Sequence, residues 1–91
     1  MRPEKRAAKI RLKGARPRFS KHLPVVIEKG CDGYYVVECP LFQGCYTQGK
    51  TIDEALHNIR EVVELILEDA NARRILRTYD PEEISLHTIS V

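Results

Sequence analysis

Thirteen carboxylates, three histidines and three cysteines are the side chains here able to do acid–base, nucleophilic or metal chemistry. A metal-dependent nuclease needs several carboxylates converging on its ions. Asp32, Glu38, Asp53 and Glu54 are the candidates. Asp32 suits a tight turn, and Asp53 and Glu54 suit a helix start, which leaves Glu38 without an evident partner. A thiol nucleophile needs a neighbouring base or positive charge, yet no local spacing ties His22, His57 or His87 to Cys31, Cys39 or Cys45. The cysteine spacings also miss the close pairs of a structural zinc site, and an odd number leaves at least one thiol unpaired. "GCDG" and "QGCYTQG" are not expected to form a phosphate-binding loop, because the first lacks a following lysine and helix and the second reads as a strand. The sequence predicts no catalytic residue, no metal ligand and no cofactor.

The elements that would carry any site follow from local pattern. "LPVVIEK" and "YYVVEC" read as strands joined by the turn "GCDG", an antiparallel hairpin. The inward set of the second strand is either Tyr35, Val37 and Cys39 or the opposite parity. Pro40 ends that strand, and "CYTQG" reads as a third. Thr51 followed by Glu54 forms a capping box. Beyond it Ile52, Ala55, Leu56, Ile59, Val62, Val63, Ile66 and Leu67 recur on one face of a helix. That helix loosens near Asp69–Asn71, "ARRILR" continues it or makes a further turn, and Asp80-Pro81 blocks helix beyond. "EISLHTISV" reads as a fourth strand whose apolar parity shifts midway, the mark of a bulge or of burial on both faces. The expected fold is α+β, in the order β-β-β-α-β, with one helix packed on one face of the sheet.

Ninety-one residues allow one domain with a modest core. The 43% hydrophobic and 31% charged content places the chain among soluble globular proteins. No apolar run approaches the roughly 20 residues of a membrane helix, and the basic N-terminus lacks the apolar segment of a secretory signal. A cytoplasmic location is expected. The net charge of +2 conceals a division. Residues 1–22 hold nine basic residues against Glu4 alone, a charge of +8, and residues 23–91 hold six basic and twelve acidic residues, a charge of −6. The expected organisation is a flexible basic extension over 1–22 and a folded domain over 23–91. An acidic body favours a basic protein partner, whereas Arg2, Lys5, Arg6, Lys9, Arg11, Lys13, Arg16 and Arg18 could bind nucleic acid phosphates without sequence preference. The alternation in "KIRLK" also fits a short edge strand.

Residues 24–68, "PVVIEKGCDGYYVVECPLFQGCYTQGKTIDEALHNIREVVELILED", resemble the HicB antitoxin family. The resemblance lies in an acidic-glycine turn, a "Y-x-V" strand, and a "P-x-x-x-G-C-x-T-x-G-x-T-x-x-E-A" run. Pro40, Gly44, Cys45, Thr47, Gly49, Thr51, Glu54 and Ala55 occupy its places. It implies a partial ribonuclease-H-like fold without the catalytic carboxylates. It also implies a HicA-like partner, a small basic toxin that cleaves messenger RNA and is blocked when covered by the antitoxin. Many relatives carry a C-terminal DNA-binding domain, which this sequence is expected to lack, and short stand-alone members exist.

Gly33, Pro40, Gly44, Gly49, Thr51 and Glu54 are expected to serve structure, the glycines through backbone conformations or close approaches that a side chain forbids. Glu61, Glu64 and Glu68 on the polar helix face are candidate partner contacts. Leu41 and Phe42 either tuck under the helix or anchor a partner. Four short strands leave edges to cover, so a homodimer or homotetramer is expected.

Overall fold

The computed structural model describes residues 21–91. The basic residues from Arg2 to Arg18 and the "KIRLK" alternation lie outside the described residues. Three strands, β1 (Val26–Lys29), β2 (Tyr35–Glu38) and β3 (Tyr46–Gly49), form an antiparallel meander in chain order. Two helices follow, α1 (Ile52–Ile66) and α2 (Ala70–Thr78), so the class is α+β as the sequence predicts.

The β1–β2 turn uses its residues as their chemistry suggests. Asp32 Oδ1 accepts from the Tyr34 amide at 3.0 Å, and Gly33 takes a φ of 89°, a left-handed conformation that costs other residues. Register pairs Ile27 with Val37 and Val37 with Thr47. Tyr35, Val37 and Cys39 therefore point to the helix side, and Val36 and Glu38 point away. The core gathers Val37, Cys39, Phe42, Cys45, Ala55, Ile59, Leu67, Ala72 and Leu76 between the sheet and the two helices.

The approach of α1 to the sheet is set at Gly49. A Cβ there would stand 2.5 Å from the Ala55 nitrogen and 2.9 Å from its Cα. Only hydrogen fits between strand and helix, and Ala55, itself fully buried, keeps the other side of the contact small. Thr51 caps the helix, its Oγ1 accepting from the Glu54 amide at 3.0 Å. Glu54 reaches back to the amide of Lys50, one residue before the cap position that a standard capping box would satisfy.

Two sequence expectations are corrected. "ARRILR" lies in a separate second helix, capped by Asp69, whose Oδ2 accepts from the Ala72 amide at 3.0 Å. The corner between the helices is closed by Arg73, whose Nη1 donates to the carbonyls of Leu67 at 2.9 Å and Glu68 at 3.0 Å. Those carbonyls end a helix with no basic residue in its own last turn, so Arg73 supplies the missing positive charge. The second correction concerns the fourth strand. Among the described residues, 83–91 pair with no strand, and Ile84, Leu86, Ile89 and Val91 are all exposed. Asp80-Pro81 ends α2 as expected, but the chain beyond it is not laid against the sheet.

Gly49→Ala is expected to destabilise the domain by about 2–3 kcal/mol, the cost of forcing a methyl into a closed backbone contact. Gly33→Ala, which meets no neighbouring atom, should lose only the left-handed penalty of about 1 kcal/mol. Urea denaturation of the two variants checks the order. Arg73→Ala should cost about 1.5–3 kcal/mol in the same assay, the range for hydrogen bonds made by a charged group.

Candidate functional site

Two surfaces carry unpartnered features. The first is the solvent face of α1. Its cap places Asp53 and Glu54 in the first turn, where the helix dipole favours them. Glu61 and Glu64 continue along it and Glu68 follows just past its end, all exposed. His57 Nε2 stands 3.3 Å from Glu61 and Arg60 Nε stands 3.7 Å from Glu64, both open i,i+4 pairs of little energetic weight. Amid these carboxylates Leu65 is 66% exposed. The sequence analysis passed over Leu65. Its signal is a leucine lying outside the apolar stripe, and single exposed leucines are common enough to escape notice.

The second surface is the outer face of the sheet, built from Val26, Glu28, Val36, Glu38, Tyr46 and Gln48. Neither helix covers it. Val36 and Tyr46 are exposed, and Glu28 and Glu38 sit diagonally across the β1–β2 pair. This face was also missed, because the choice of parity in β2 was open.

The loop over 39–45 resolves differently. Phe42 is 6% exposed and lies in the core, and Leu41 packs half-buried against it. Phe42 therefore tucks under the helix and is not displayed to a partner. Gly44 turns the loop with a φ of 72°, and the Cys39 amide donates to the Cys45 carbonyl at 2.9 Å, holding the loop ends together. Pro40 is exposed at the end of β2.

The groups that suggested chemistry are scattered. Cys31 is exposed on the turn, while Cys39 and Cys45 are buried opposite one another. Burial foremost, and then the neighbouring Cys39 thiol, push the Cys45 thiol up from 9.0 to about 11. At neutral pH it is protonated, the unreactive form. Among the described residues, no three His, Cys, Asp or Glu side chains gather closely enough to hold a metal ion. No described helix is long and apolar enough to cross a membrane.

What the arrangement offers is a small sheet under a capped, acid-faced helix, and comparison with known proteins places it. Residues 23–85 match the family described as HicB_like antitoxin of bacterial toxin-antitoxin system. The chain belongs to the HicB-like antitoxin family. A UPF0150 protein of Synechocystis sp. is 56% identical over 45 residues, covering 50% of this chain and 65% of the relative. One of Archaeoglobus fulgidus is 52% identical over 44 residues, 48% of this chain and 64% of the relative. One of Thermoplasma acidophilum is 45% identical over 64 residues, 69% of this chain and 93% of the relative. The matched region thus spans slightly under two thirds of the first two relatives and nearly all of the third. No solved structure matches the chain. Within this HicB-like domain, Gly49, Thr51, Glu54 and Ala55 are the residues that join β3 to α1, so that part of the family pattern has a packing cause.

Burial also orders the thiols by reactivity. A thiol reagent at pH 8 should modify Cys31 in the native protein, and all three cysteines only after denaturation. Because the folded Cys45 thiol holds its proton above its unfolded value, its contribution to stability is complete below pH 9 and lost as pH rises toward 11. Cys45→Ala should show a shallower decline over that window in urea titrations.

Proposed function

We propose that this HicB-like protein binds and neutralises a small basic RNA-cleaving toxin of the HicA type, with no catalysis of its own. The observation that carries this is the exposed run of Glu61 and Glu64 on α1 and Glu68 just past its end, around Leu65, on a segment whose formal charge is −6. An RNA-cleaving protein must present positive charge to bind phosphates. These exposed carboxylates compete for that same positive surface, and they raise the rate of encounter. Leu65 gives the contact an apolar centre that excludes water around the charge pairs. The fold requires none of these four side chains in its core, which leaves them available to a partner.

In this reading the protein acts in the cytoplasm, where messenger RNA is cleaved, and as a homodimer or homotetramer that covers more than one toxin. The basic residues from Arg2 to Arg18 favour a second role in holding nucleic acid. That role predicts binding which weakens steeply with salt and disappears when residues 1–22 are removed.

Co-expression with a small basic protein encoded beside this gene tests the main reading. The two should co-purify, and growth arrest by the toxin should be relieved. Replacing Glu61, Glu64 and Glu68 together by lysine should weaken the complex by more than about tenfold, an energy of about 1.4 kcal/mol. Thermal unfolding of the variant alone should be unchanged. Full affinity in that variant overturns the assignment of the surface, and failure to rescue growth overturns the function.

A further inference from the structure

The register between β2 and β3 carries on one step past the ends of both strands. Glu38 faces Tyr46, so Cys39 faces Cys45, and the Cys39 amide donates to the Cys45 carbonyl at 2.9 Å. Residues in such a hydrogen-bonded antiparallel pair stand about 5.5 Å apart at Cα, inside the range of about 4.4–6.8 Å that a disulfide spans. Both side chains lie in the core, Cys39 at 0% and Cys45 at 1% exposure. Their thiols are near enough to hydrogen-bond to one another. Cys31 sits on the turn at the opposite end of β2 and takes no part.

The loop between the two cysteines keeps them together without a covalent bond. Pro40 has a fixed φ, Gly44 turns the chain with a φ of 72°, and Phe42 is sunk in the core with its amide donating to the Cys39 carbonyl at 3.4 Å. Joining the sulfurs then asks for side-chain rotation and little movement of the backbone. In the unfolded chain the same cysteines, six positions apart, must meet against the entropy of the loop. The fold therefore raises the effective concentration of each thiol at the other.

We propose that Cys39 and Cys45 are a dithiol pair that a small disulfide, such as oxidised glutathione, converts to an internal disulfide across the mouth of the 39–45 loop. One cysteine, as its thiolate, attacks a sulfur of the small disulfide and expels the other half, which takes up the proton. The second cysteine attacks the mixed disulfide, forms the Cys39–Cys45 bond and releases the remaining half as a second thiol. Two protein thiols are oxidised, one small disulfide is reduced, and both protons pass to its products. Burial slows the exchange, because the loop must open first, but burial does not decide where the exchange ends. That is decided by how well the folded chain presents the pair. By linkage, the factor by which folding favours the disulfide is the factor by which the disulfide favours folding. This inference stands apart from the toxin-binding reading, since no toxin enters its test.

The test uses the full chain with Cys31→Ser, a change confined to an exposed side chain. The reduced protein, and protein oxidised in urea and refolded, are held in mixtures of reduced and oxidised glutathione until the two converge. After acid quenching and alkylation, intact mass should show both thiols lost together in a single chain, lighter by two hydrogens. The midpoint should need at least about tenfold less oxidised glutathione in native buffer than in urea. The oxidised form should also unfold at higher urea than the reduced form. An equal or more oxidising midpoint in native buffer overturns the proposal, because the fold then does not present the pair. A stable mixed disulfide with glutathione, a bond between two copies, or an oxidised protein that fails to refold overturns it equally.

Discussion

The contact between Gly49 and Ala55 is the constraint on which the rest of this domain depends. It brings backbone against backbone where β3 hands over to α1, with room for a hydrogen and nothing larger. That closeness determines how deep the helix lies, and the depth decides which of its residues meet Val37 and Cys45. Thr51 and Glu54 fix the direction of departure, because the cap can form only if the chain turns into helix directly after the strand. A domain this small has little apolar area to spare. One well-determined junction therefore contributes more to uniqueness than several looser contacts would.

Charge is arranged around that junction so that the two faces of α1 have separate duties. The inner face is mainly apolar, and Ala55 keeps it small where it meets Gly49. The outer face is acidic and takes almost no part in holding the fold, the His57–Glu61 and Arg60–Glu64 pairs being open to water. The end of α1 is stabilised from outside by Arg73, so the helices share one electrostatic boundary although each has its own N-cap. Changes on the acidic face can thus alter recognition with little effect on stability, while changes at the corner do the opposite.

Much of this was legible in the residues. The hairpin, the third strand and the capped helix follow from β-branched runs, turn residues and a three-residue spacing from Thr51 to Glu54. The boundary between α1 and α2 was less so. Asp69 as a cap depends on the path of Ala72, and a loosening at 69–71 reads the same whether the helix ends or bends. Leu41 and Phe42 could go in or out, because only the turn at Gly44 decides which of them faces the core. The acidic surface was visible as composition and as helical periodicity, but Leu65 within it was not.

One further contact ties the first described residue to the end of α2. Lys21 Nζ donates to the Tyr79 carbonyl at 2.7 Å, at the point where α2 stops. Lys21 is therefore held at the corner from which the aliphatic segment after Tyr79 departs. A load placed on residues 80–91 bears directly on that corner, and the ammonium of a single lysine is the hinge pin.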